Sequence, residues 1–154
     1  MSHRHTPPKL IPLDKKKSRV KERKRLPLIK GQVEITDHHR RPRSIGGSKD
    51  PANISKISIR IHKAWHIIFG NMSAEQICNY INENFKPKGL TLVCTFINGR
   101  QCLMQGNNKS NSSDLYKISL AWNTLFEKNL SFKKKIDFIN NVLLDPAYHF
   151  YIRD

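Results

Sequence analysis

The chain has 154 residues, of which 38% are hydrophobic, and a net charge of +16, which suits one domain, or one domain with a tail, and points to a polyanionic partner. No apolar run reaches the length that spans a bilayer and the N-terminus is too polar for a secretory signal, so a cytoplasmic protein with no membrane partner is expected. The three cysteines, Cys78, Cys94 and Cys102, form no CxxC pair. They indicate neither a zinc ribbon nor a disulfide framework and read as small buried hydrophobes.

Residues 1–30 hold eleven basic and two acidic residues, so +9 of the +16 lies in a fifth of the chain. With prolines at 7, 8, 12 and 27 and no sustained apolar period, this stretch predicts a flexible basic arm. Lys15, Lys16, Lys17, Arg19, Arg23, Lys24 and Arg25 are its candidate phosphate contacts, with a merely solvated charge run as the alternative. Residues 31–154 then form a single domain, divided into a motif at 33–70 and a supporting region at 71–154.

Val33, Glu34 and Ile35 alternate like a short strand that leads into the adjacent pair His38-His39. Neighbours on an extended segment point to opposite sides, so the two imidazoles cannot do the same job. Pro42 stops regular pairing, and Gly46-Gly47 permits a tight or left-handed loop. Ile54 to Ile59 alternates again as a second, antiparallel strand. From Arg60 the period changes to a helical one, with Ile61, Trp65, Ile68 and Phe69 on one face. His62 and His66, four apart on that helix, share another face and can share an ion.

Ser73 and Gln76 make a capping box for a second helix with the stripe Ile77, Tyr80, Ile81, Phe85. Asn98-Gly99 predicts a hairpin between 91–97 and 100–104, pairing Thr95 with Cys102 and Cys94 with Leu103, so that the two cysteines face opposite sides. Helices are expected at 114–129 and 131–144, the second capped by Ser131. Ala64-Trp65, Ile68-Phe69, Ser73 and Ile81-Asn82 recur as Ala121-Trp122, Leu125-Phe126, Ser131 and Ile139-Asn140. Two helix pairs with similar packing would explain that echo, and only the first carries histidines.

The series His38, His39, Pro42, Ser44, Gly46, Gly47, Asn53, His62, His66 resembles the signature of the HNH, or ββα-metal, endonucleases, and in its histidines the colicin-type branch. The match covers about residues 33–70. It implies a ββα-metal core, which with the additional helices and the C-terminal β-hairpin read above makes an α+β fold. It further implies a metal-dependent endonuclease acting on nucleic acid, DNA more than RNA, and leaving 5′-phosphate and 3′-hydroxyl ends. By resemblance His39 is the general base, oriented by a backbone carbonyl. His38, His62 and His66 hold one divalent ion (Mg, Mn, Zn or Ni), and Asn53 ties the long loop together. Asp37 is out of register with the family's ligand and would support an imidazole instead. Where many members carry Cys-x-x-Cys, this chain has Ser58 and Ile61, so the hairpin and C-terminal helices must hold the motif. Arg40, Arg41, Arg43 and, more weakly, Arg60 are candidate phosphate contacts, because guanidinium binds phosphate bidentately. The alternatives are a nucleic-acid-binding protein on the same scaffold without turnover, and a metal-stabilised structural protein.

Overall fold

A computed structural model describes residues 32–102, 114–126 and 129–154. The expected basic arm, including Lys15, Lys16, Lys17, Arg19, Arg23, Lys24 and Arg25, lies outside the described residues, as does the expected pairing of Leu103. The architecture is mixed α+β with two small antiparallel sheets. Strand β1 (Ile35–His39) pairs with β2 (Ile54–Ser58), and β3 (Thr91–Phe96) pairs with β4 (Tyr148–Arg153). The helices are α1 (Ile59–Phe69), α2 (Ala74–Asn84), α3 (Leu115–Leu125) and α4 (Phe132–Phe138).

The chain leaves β2 for α1 without a linker, because Ser58 ends the strand and its hydroxyl accepts from Ile61 N to start the helix. The helix therefore begins at Ile59, one residue before the expected change of period. Ser73 and Gln76 form the expected capping box on α2, and Ser131 caps α4. Trp65, Ile68 and Phe69 of α1 enter a core shared with Ile77 and Ile81 of α2, Trp122 of α3 and Phe150 of β4. Phe85 stacks flat on Trp122, ring centroids 4.0 Å apart, and so joins the two helix pairs.

The hairpin expectation is corrected in two ways. The partner of β3 along its length is β4, and residue 101 contributes only an isolated bridge to Thr95. Its turn holds three residues rather than two: Phe96 N donates to Arg100 O around a left-handed Gly99 (φ 82°). That slips the register by one residue, and in a strand a slip of one turns side chains to the other face. Cys94 and Cys102 consequently face each other with sulfurs 3.5 Å apart, not on opposite sides. Both are free thiols, and burial pushes the Cys94 thiol pKa up.

The helix expected at 131–144 ends at Phe138 and continues as a π turn over Ile139–Leu143. Widening the spiral leaves carbonyl oxygens near its C-terminal end free to accept from elsewhere. Asn140 in this turn clamps β4, its amide accepting from Phe150 N and donating to Phe150 O, both at 2.8 Å. Asn82 does the same to Leu92 of β3, again ten residues on and again at 2.8 Å. The echo in the sequence thus corresponds to two helix-helix-strand units. Val93 pairs with Tyr151, its own counterpart, so the units meet about an approximate two-fold relation.

Candidate metal centre

His38 and His39 end β1, and the loop that follows is folded by Asn53, which is 5% exposed. Its Oδ1 accepts from Arg41 N at 2.7 Å, while its Nδ2 donates to Arg41 O at 3.1 Å and Ser48 O at 2.9 Å. One buried amide therefore fixes both ends of the loop. Gly47 N donates to Pro42 O, and a Cβ at Gly47 would collide with the Arg41 carbonyl oxygen. Only glycine fits there.

The loop and α1 bring His38, His62 and His66 together. Their candidate ligand nitrogens lie within 4.8 Å of one another. His62 Nε2 and His66 Nε2 are 3.0 Å apart, as residues one helical turn apart allow. The His66 ring lines the cleft, 6.2 Å centroid to centroid from His38. Trp65 of the same helix goes into the core and presents a ring edge-on to His38, 5.8 Å away.

His38 is 1% exposed, and its Nε2 lies 3.1 Å from Leu143 O at the end of the π turn. A carbonyl only accepts, so Nε2 carries the proton and Nδ1 keeps the lone pair. That Nδ1 is buried with no hydrogen-bond partner. Burial pushes the His38 pKa down to about 4, reinforced by the nearby His62, His66 and His39 and opposed by the Leu143 carbonyl. Burial, then His66 and His39, lowers the His62 pKa as well. A buried, neutral imidazole with an orphaned lone pair fits a cation, and a carbonyl on the other ring nitrogen is the usual way a ligand histidine is aimed. Three imidazoles around an open side suit a catalytic type of metal site.

His39, half-buried, lines the same cleft, which has a volume of about 210 Å³ and is also bounded by Arg43, Ser44 and Asn71. Among the described residues its ring has no hydrogen bond; the expected carbonyl partner belongs to His38 instead. Asp37 likewise departs from expectation: its carboxylate pairs with Lys56 Nζ at 3.0 Å on the exposed face of the sheet and, among the described residues, touches no imidazole. Ser58 caps α1 and Ile61 packs on the core.

The loop arginines separate by environment. Arg40 turns inward, Nε donating to Leu144 O and Nη2 to Asn140 O, both at 2.7 Å. Its guanidinium thereby joins the motif to the π turn and is spent structurally, contrary to the expected phosphate contact. Arg41 Nε reaches Ile45 O at 3.2 Å and lies 3.6 Å from Asp145. Arg43 is exposed on the cleft wall with no side-chain partner among the described residues. Arg60 lies away from the cleft, in a groove between α1 and α3. Sequence reasoning missed Leu143 and Asn71, the first because it acts through its backbone.

Comparison of the chain with known protein families, curated proteins and solved structures finds no match.

Proposed function

We infer that the protein is a metal-dependent endonuclease of the ββα-metal type, cutting nucleic acid at the His38–His62–His66 cleft. The observation that carries this reading is the buried, partnerless Nδ1 of His38 facing two further imidazoles, with a fourth, His39, beside them in the cleft and outside the trio. Strand, Asn-tied loop, strand and helix in that order support the same assignment. His38, His62 and His66 would hold one divalent ion, which when bound supplies positive charge to the scissile phosphate and its leaving oxygen. His39 takes the proton of the attacking water. Arg43 on the cleft wall binds a neighbouring phosphate oxygen and sets the strand's position. Asn53 acts through the loop, holding His39 and Arg43 on the same side of the cleft.

Incubating supercoiled plasmid with the protein and Mg, Mn, Zn or Ni tests the reading. Nicking by wild type and its loss in His39→Ala, with metal affinity retained in a calorimetric titration, is the expected result. Binding of DNA without nicking under every metal makes the protein a nucleic-acid-binding one on this scaffold. Nicking retained by His39→Ala means that a group other than His39 takes the proton.

A further inference from the structure

We propose that the groove between α1 and α3 is a docking site for an acidic amphipathic helix of a partner protein, separate from the histidine cleft.

The groove has a volume of about 240 Å³. Ala64 and Ala121 form its floor, small enough to let an incoming side chain reach the seam where the helices meet. Ile67 and Leu120 flank it and stay in solvent, 55% and 56% exposed. Tyr116, one turn before Leu120, is 77% exposed and extends the apolar strip along α3. Isolated exposed apolar side chains are ordinary, but two flanking one concave seam, with a third a helical turn further along α3, form a patch of the kind that marks an interface.

The rim decides the occupant. Arg60, Lys63 and Lys117 line the groove, and among the described residues no acidic one does. Lys117 pairs with Asp114 at 2.9 Å, whereas Arg60 and Lys63 have no ion pair among the described residues. A second copy of this chain would set the same cations against one another. Residues 1–30 carry +9 and are repelled for the same reason. Nucleic acid would satisfy the cations and leave the apolar strip uncovered. A helix with aliphatic residues at i, i+3, i+4 and i+7 and carboxylates along both flanks satisfies floor and rim together. Arg60 to Ile67 spans about two turns, or roughly 10 Å, so the contact is short and rests on a few anchors. On α1 the residues 60, 63, 64 and 67 lie largely on the far side from His62 and His66, at about 100° per residue. Docking there leaves the cleft open, and the groove's role does not depend on what the cleft does.

The test uses the full chain and a fluorescein-labelled synthetic peptide of about 18 residues, long enough to sample a helix. Leucines occupy i, i+3, i+4 and i+7, and glutamates the flanks; a scrambled peptide of the same composition is the control. Fluorescence anisotropy should show saturable binding of the patterned peptide and at least about tenfold weaker binding of the scrambled one. Leu120→Ser and, separately, Lys63→Glu should each weaken the patterned peptide by about tenfold with unchanged thermal melts. Equal binding of both peptides overturns the proposal, because charge alone then suffices. So does the absence of binding, retained affinity in both variants, or a free protein that sediments as a dimer broken by Leu120→Ser.

Discussion

In the metal-free protein the pH dependence of stability centres on His38, whose ring is the most buried of the cluster. Unfolded, it takes up a proton as the pH falls through its ordinary 6.5; folded, burial delays this to about 4. Between those values the unfolded chain binds more protons, so stability falls as the pH is lowered. The contribution is fully present above pH 6.5 and gone below about pH 4. The difference corresponds to about 3 kcal/mol, with a slope near 1.4 kcal/mol per pH unit in mid-window. His62, lowered first by its burial and then by His66 and His39, adds in the same direction. Urea melts of chelator-treated wild type and His38→Gln across about pH 4 to 7 measure it. The glutamine amide can still donate to Leu143 O but cannot titrate, so carboxylates and other histidines cancel in the difference. That difference should shrink by about 3 kcal/mol from about pH 7 to about pH 4. Curves that run parallel would refute the buried-neutral account of His38. Saturating zinc should raise the stability of wild type above about pH 6 and lose its effect as the ligands protonate.

Arg40→Ala should lower stability by about 2 kcal/mol through the stranded carbonyls of Leu144 and Asn140, while Arg43→Ala leaves the melt unchanged and weakens duplex DNA binding in a salt-titrated gel shift. Gly47→Ala should cost about 3 kcal/mol or more, read by chemical denaturation, because its Cβ meets the Arg41 carbonyl. Asn53→Ala removes three hydrogen bonds and should cost about 3 kcal/mol, with metal affinity reduced less than cleavage.

What was legible in the sequence is what side-chain chemistry encodes locally. Ser73 and Gln76 announce their helix because the cap is made by those two side chains, and the α1 stripe follows from its period. The spacing of His62 and His66 gives their common face for the same reason. The register at Asn98-Gly99 is not legible there, since two-residue and three-residue turns draw on the same residues and the choice is made by pairing further along the strand. Strand β4 is only faintly legible, in the alternation of Phe150 with exposed His149 and Tyr151; its partner is 58 residues away in the register centred on Val93. Nothing in the side chains of 139–144 says that their carbonyls will receive His38 and Arg40. A guanidinium beside a histidine pair looks alike in sequence whether it faces phosphate or a π turn.

The bond from His38 to Leu143 O closes a loop of 105 residues, and the Arg40 bonds to Leu144 and Asn140 close loops almost as long. Contacts this distant form late in folding, because the chain entropy of closing them must be overcome first. On the ribosome, β1, β2 and α1 emerge long before the π turn exists. During that interval His38 has no acceptor to fix its tautomer and no wall to bury its ring. Completion of the cleft therefore waits for a segment translated 105 residues after its first histidine, so the nascent chain lies beside messenger and ribosomal RNA through that stretch of synthesis without an assembled site.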